Sequence, residues 1–427
     1  MTNNTTALNI QSMEIPTVFI EYQAVSDFIW NDSRYCDDIE KFIDFLEPRI
    51  KTGKVTVEFV LHLLDIVHTA RNYQKIIKKV KHCIINIFNV KINKNLKYLF
   101  KCYEFWHDIF NVEDYIQEDN IEYYQMKNDD YNVYNELCKV CHHGYINCFK
   151  YLLLNGANLS LYHLYYAIIG GNNEMIRIFG NQFTDFKFAI QPAMEVNRND
   201  LADWLIERSS RMPRIQCAIP LYCCNFKAFQ YLYTKYKSLN NIGITQATKY
   251  DVYPHSVVAG LFQSVDILNE LTKYNGFMSS LLYNNGYKNF LPDITLLGNI
   301  EIVKWLVDKG VKGDDSLMSA LTSCNYEIFK FLVSKGFNIN YIPPDSDKLS
   351  VPAVVTKEHP IEIIKFILDN GANTNYNKDM IIAAAKRGDI EIFKLLIEHG
   401  AKYDVTWIHF KVYYIHILIT TFNMYLL

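Results

Sequence analysis

Apolar residues recur at helical spacing in short bursts over residues 134–404, and each burst closes on glycine or on a residue standing in its place. In 388–400, Ile392, Phe393, Leu396 and Ile397 form one stripe. Glu391 and Lys394 fall outside it, three residues apart, where they can pair weakly on the solvent side. Segments 298–310 and 144–156 share this frame: glycines twelve residues apart, with Lys six before the second. Weaker copies occupy 324–336 and 359–371, which keep Glu327, Lys330, Glu362 and Lys365. Others occupy 171–183, 197–209, 224–236 and 262–274, with altered ends. The closing positions are 156, 183, 209, 236, 274, 310, 336, 371 and 400, giving about nine units spaced 26 to 38 residues apart.

Each burst predicts a helix that ends on a left-handed cap, which glycine accepts at least cost. Four residues before the first glycine a small residue often stands, namely Ala167, Ala193, Ala320 and Ala384, so an earlier helix can lie close against this one. Asp315 and Asp379 sit where that earlier helix should begin, as N-caps do. The predicted unit is helix, tight turn, helix, glycine, connector. A single pair cannot bury both apolar faces, so neighbours must stack.

The ends do not fit this frame. Residues 1–20 are polar and uncapped and are expected to be loose. Residues 21–133 read as a separate helical N-terminal region, with strongly apolar runs at 41–46 and 57–64, and the acidic stretch 108–130 reads as a linker. Residues 405–427 are mostly apolar and read as a last helix or cap over the end of the stack. Their most apolar part, 412–427, falls short of the ~20 residues a membrane span needs, so no membrane partner is expected.

Residues 388–401, Gly-Asp-Ile-Glu-Ile-Phe-Lys-Leu-Leu-Ile-Glu-His-Gly-Ala, resemble the second half of an ankyrin repeat, and 370–375, Asn-Gly-Ala-Asn-Thr-Asn, resemble its connector. The resemblance covers about 134–404 and implies an all-α ankyrin-repeat helical solenoid of about nine divergent units. The usual Thr-Pro-Leu-His opening is missing. Spacings of 26 and 27 fall short of the usual ~33, so the projecting finger must be trimmed there. The style of the chain, rich in Asn, Ile, Lys and Tyr, resembles ankyrin families encoded by giant amoeba-infecting DNA viruses, which implies host proteins as targets. Those codons are A/T-rich, so much of the bias can be genomic.

For such proteins the resemblance implies an interaction scaffold whose contacts come from connector tips and the exposed turn of the first helix. Carried onto this chain, that points to Asn377, Lys378, Lys386 and Arg387 in the last copy, and to Asp314, Ser323, Tyr162 and Tyr166 in others. Tyr162 and Tyr166 lead, since aromatic anchors dominate interfaces. The stretch from Phe42 through Cys83 loosely resembles the carboxyl half of a BTB domain, with too little chain before it for a complete one. That implies an alternative: a ubiquitin-ligase substrate adaptor docked through residues 21–133.

Composition narrows the classes. Among 427 residues, 43 basic and 46 acidic side chains give a formal charge of −3, which is no footprint for nucleic acid. The basic run at 75–81 reads as a solvated helix face. Ten scattered cysteines do not form a disulfide framework, and the first thirty residues lack Lys, Arg and an apolar core. Reduced thiols in cytoplasm or nucleus are expected, with no secretory signal. Cys138-Lys-Val-Cys141-His142 fits the haem c spacing, and His143 and Cys148 add zinc-type ligands, but all fall within predicted helices. The bland reading is structural, and Cys223 with Cys224 reads as a buried-plus-edge pair. No phosphate loop or His-Glu-x-x-His occurs, and His399 has an ordinary helix C-terminal place. No cofactor, metal, small-molecule substrate or enzymatic activity is expected.

Overall fold

The computed structural model describes residues 9–32, 38–70, 75–90, 119–126, 133–211, 215, 218–236, 262–274, 291–344, 350–375 and 379–402. Among these the chain is all-α, with no strand. It divides into two compact units, residues 1–287 and 288–427.

Unit 1 opens with α1 (Ile20–Asp32), α2 (Ile39–Lys51), α3 (Val57–Ala70), α4 (Lys75–Ile87) and the short α5 (Glu122–Met126). Helix pairs follow: α6 (Val133–His143) with α7 (Ile146–Leu154), α8 (Leu161–Gly170) with α9 (Asn173–Gln182), α10 (Ile190–Glu195) with α11 (Asn199–Glu207), and α12 (Ala218–Tyr222) with α13 (Phe226–Tyr236). Helix α14 (Val265–Thr272) comes last. First helices touch first helices along α6, α8, α10 and α12, while α7 touches α9. The apolar stripe of each helix is therefore covered from two sides, by its own partner and by the neighbouring pair. Ala167 and Ala193 are fully buried, as the close approach of these helices requires.

Unit 2 repeats the scheme with α15 (Leu291–Leu297) and α16 (Ile300–Asp308), α17 (Asp315–Thr322) and α18 (Tyr326–Ser334), α19 (Val351–Glu358) and α20 (Ile361–Asp369), and α21 (Asp379–Arg387) and α22 (Ile390–Glu398). Helix α15 touches α17, α17 touches α19, and α19 touches α21, while α16 touches α18 and α20 touches α22. Ala320 and Ala384 are fully buried here.

The turn inside most pairs needs a left-handed residue. Glycine supplies it at 144, 171, 298 and 388, but Asn197, Cys224 and Cys324 hold the same place with φ of 56°, 62° and 53°. A side chain there costs roughly 1–2 kcal/mol, so stacking must hold these turns against local preference. His359 departs, with an extended φ of −110°, because Pro360 follows it and disfavours helical backbone. Second helices end on a recurring double hydrogen bond. At 156, Gly156 N–H donates to Leu153 O and Ala157 N–H to Leu152 O. The same pattern recurs at Gly310, Gly336, Gly371 and Gly400, as glycine-closed C-caps require.

In four pairs one side chain ties the pair to the one before it. The asparagine that starts a second helix caps that helix with its oxygen and donates its amide to a carbonyl of the preceding turn. Asn172 accepts from Glu174 N and Met175 N and donates to Gly144 O at 3.0 Å. Asn225 donates to Met194 O at 2.8 Å, and Asn325 to Gly298 O at 3.2 Å. In the last pair Asp389 caps α22 but has no N–H to give. Arg387 does that work instead, donating to Thr356 O and His359 O of the preceding pair. On the connector side, Asn340 donates to Gly371 O and accepts from Asn373 N. Asn375 repeats this with Gly400 O and Lys402 N.

The N-terminal helices are not a separate region, as the sequence suggested; they lie over the turns between first and second helices of unit 1. Phe19 stacks on Phe226 at 4.8 Å, Tyr22 packs edge-on to Phe59 and Phe262, and all five rings are buried. Gln23 accepts from Phe226 N and Lys227 N, so a glutamine of α1 caps α13. Asp27 accepts from Asn197, His62 Nε2 lies 3.1 Å from Tyr222 O, and His142 Nε2 lies 2.9 Å from Ala70 O. Burial depresses the His62 pKa to about 4.

Other expectations shift too. Of the segment expected to be loose, Ile10 is fully buried, and the N–H groups of Ile10 and Gln11 both donate to the Asp203 carboxylate of α11. Asp119, within the expected acidic linker, accepts from Asn147 N and Cys148 N at the start of α7; the rest of 108–130, apart from 120–126, lies outside the described residues. Asp315 is the first residue of α17 and Asp314 the cap position before it. Residues 405–427 lie outside the described residues. No helix of the described residues is long and apolar enough to cross a membrane.

Because Asn225 is fully buried and serves two pairs, Asn225→Ala should destabilise unit 1 by about 2–4 kcal/mol, a lost cap plus a stranded carbonyl. Asn172→Ala, where water can reach the carbonyl, should cost about 1 kcal/mol. Urea unfolding followed by circular dichroism gives both values, and equal midpoint shifts would refute the claim that burial strengthens the Asn225 link.

Candidate functional site

Exposed aromatic side chains gather at the starts of successive first helices in unit 1. Tyr134 is the second residue of α6 and is 44% exposed; Tyr162 is the second residue of α8 and is 48% exposed. Phe188, in the 3₁₀ turn Lys187–Ala189 that leads into α10, is 69% exposed. Phe188 follows Tyr162 by 26 residues, the same offset that separates closing positions 183 and 209, so the two hold one register on adjacent pairs.

Helical geometry builds the centre of the patch. Tyr162, Tyr165 and Tyr166 stand at i, i+3 and i+4 and so share one face of α8. The rings of Tyr162 and Tyr165 are parallel within 11° at 6.5 Å, and Tyr166 stands nearly perpendicular to both, at 5.2 and 5.5 Å. Tyr134 lies parallel to Tyr162 across the pair boundary, at 6.2 Å. Its position is set by His163, which is fully buried. The Nδ1 of His163 accepts from Ser160 N, which leaves the proton on Nε2, and that nitrogen donates to Tyr134 O at 3.2 Å. Burial lowers the His163 pKa, so the ring stays neutral and the bond persists near neutral pH.

Beneath the exposed tyrosines the side chains are buried. Tyr166 is 6% exposed and donates its hydroxyl to Tyr162 Oη at 3.0 Å; burial and this bond raise its pKa. Burial and the nearby charge of Glu195 raise that of Tyr165. Glu195 itself is buried at the end of α10. Its pKa is pushed up to about 7 by burial, with one opposing bond from Gln191 Nε2 at 2.8 Å. Such an arrangement presents rigid rings with hydroxyl edges, and it assembles no nucleophile beside a base.

The residues expected from the sequence fare unequally. Tyr162 stands exposed in the patch, and Tyr166 lies under it as support. Lys386 is exposed on α21. Arg387 is taken up by the carbonyls of the preceding pair, and Asp314 accepts from Asn338 N at 2.8 Å in the next connector. Ser323 bonds back to Ser319 O and Ala320 O at the turn end of α17, away from the connectors. Asn377 and Lys378 lie outside the described residues. Sequence reading missed Tyr134, Tyr165 and Phe188; the shared register of Phe188 with Tyr162 was a usable signal. Cys138 and Cys141 are buried on α6, and Cys223 and Cys224 are both buried, without the edge position expected for one of them. Burial raises the pKa of all four thiols, so they are poor nucleophiles.

Glu195 makes a pH signature. Its folded pKa lies above its ordinary 4.5, so the folded state holds the proton more tightly. Stability is fully present below about pH 4.5, falls as pH rises to about 7, and then levels off. Glu195→Gln keeps the partner of Gln191 and should remove that fall, leaving the variant more stable than the parent at pH 8. Thermal melts from pH 5 to 8 that decline equally in both proteins would count against the assignment.

No protein-family model matches the chain, and no curated protein is similar to it.

Proposed function

We propose that this chain is a protein-interaction scaffold of the ankyrin-repeat type, which binds partner proteins through the first-helix row of its stacked pairs. The observation that carries the reading is the aromatic strip, with Tyr134, Tyr162 and Phe188 exposed at the starts of three successive first helices. Large exposed rings cost free energy in water unless something covers them, and Tyr brings wide apolar area at low entropy cost. Packing beneath the strip supports this reading, since rings fixed before binding lose little freedom on docking. The glycine-closed helix pairs and short connectors support the ankyrin assignment. The compositional style supports a viral source, with host proteins as partners.

An adaptor reading asks residues 21–133 for a docking module of their own. The contacts of α1 and α3 with the turns of unit 1 weigh against an independent module.

The test is affinity purification from host-cell lysate with the parent chain and with Tyr134→Ala/Tyr162→Ala/Phe188→Ala. Proteins retained by the parent should be lost from the variant. Each anchor should be worth about 2 kcal/mol, or roughly thirtyfold in Kd for a purified partner. Circular dichroism should show the parent's helix content, and the melting temperature should fall only slightly, because the three rings are exposed and Tyr162→Ala removes just the acceptor of the Tyr166 hydroxyl. Identical protein sets from both baits would remove the strip from the binding site.

A further inference from the structure

A second surface lies on the N-terminal helices, away from the aromatic strip. A cleft of about 400 Å³ runs between the first turns of α2 and the last turns of α4. Its floor is apolar, formed by Ile39, Ile43, Cys83 and Ile87, and Ile87 is 42% exposed. The other sides of these helices are occupied. Phe28 of α1 stacks on Phe45 at 3.9 Å and meets Phe42 at 5.3 Å, and α3 packs on α4.

Among the described residues, charge on the cleft has one sign. Its two ionisable acids, Glu40 and Asp44, are exposed one helical turn apart, with the Asn86 amide on the facing wall. Among the described residues, no basic side chain lines it. Lys41 turns to the opposite side, its ammonium 5.9 Å from the centre of the Phe28 ring, and Lys81 is paired with Asp65. Lys78 and Lys79 lie earlier on α4, outside the lining. The spacing also has a match: Ile39 and Ile43 stand about 6 Å apart along the helix, the separation of side chains at i and i+4 on a second helix.

We propose that this cleft is a docking site for an amphipathic helix of a partner protein. The partner helix carries aliphatic anchors at i and i+4 and Lys or Arg on the flank that meets Glu40 and Asp44. Helices dock in grooves in this way when an apolar stripe meets an apolar floor, and opposite charge sets orientation and excludes wrong partners. The proposal stands apart from the aromatic strip: it concerns another surface and another partner contact.

Two fluorescent synthetic peptides test it by anisotropy with the full chain. Both carry leucines at i, i+4 and i+8; one is flanked by lysines and the other by glutamates. The lysine peptide should bind, and the glutamate peptide should bind at least about tenfold more weakly. Glu40→Lys/Asp44→Lys, which alters only exposed side chains, should reverse that preference, and Ile87→Ser should weaken both peptides. Tyr162→Ala/Phe188→Ala should leave peptide binding unchanged, so failure at the strip and failure at the cleft are read separately. The proposal is overturned if neither peptide binds, if both bind equally, or if the double charge reversal changes nothing. It is also overturned if the chain self-associates and Ile87→Ser abolishes that association, since the occupant would then be a second copy.

Discussion

The constraint beneath this structure is that a pair of helices about ten residues long cannot cover its own apolar faces or satisfy all the polar groups at its own turn. Both deficits are met by the neighbouring pair. Apolar stripes are buried first helix on first helix, and in three pairs a carbonyl at the turn receives the amide of the next asparagine. Asn172, Asn225 and Asn325 each cap one helix and hold the carbonyl of another pair. Aspartate would cap as well but could not donate, and where Asp389 replaces asparagine, Arg387 supplies the missing N–H. The strength of the link then depends on burial, because an unpaired carbonyl costs most where water cannot replace its partner. Surface ion pairs between neighbours, such as Lys335 with Asp308 at 2.9 Å, are exposed and add little.

The N-terminal helices meet the same need along the turn edge of unit 1. There the left-handed Asn197 and Cys224 sit under α1 and α3, and Gln23 completes the start of α13. These helices therefore close one end of the first-helix row, while the aromatic strip stands at the other. A first helix of ten residues separates the two by about 15 Å. Packing at the turn edge and recognition at the helix starts can coexist, because they draw on opposite ends of the same helices.

Much of the fold was legible because periodicity is local. Stripes such as Ile392, Phe393 and Leu396, and glycines such as Gly371 and Gly400, mark helices and their ends without help from distant residues. The candidate site was legible only in part. Tyr162 was found because an aromatic residue at a helix start stands out. Tyr134 escaped because its neighbour across the pair boundary is set by a buried histidine bond. Phe188 escaped because a 3₁₀ turn, and not a regular helix, carries it. The structural bond of Arg387 escaped because nothing in its own segment reveals that a carbonyl 28 residues earlier needs a donor.

The sequence alone determined the all-helical class, the pairing of helices and the place of most turns, since these follow from spacing and from backbone preferences within a few residues. Tertiary structure alone decided which polar side chains were spent internally, how helices α1 to α4 join the stack, and which aromatic rings remain in water. Those outcomes turn on contacts between residues some 25 to 200 positions apart, such as Ile10 with Asp203, and no local pattern encodes whether such a partner will arrive.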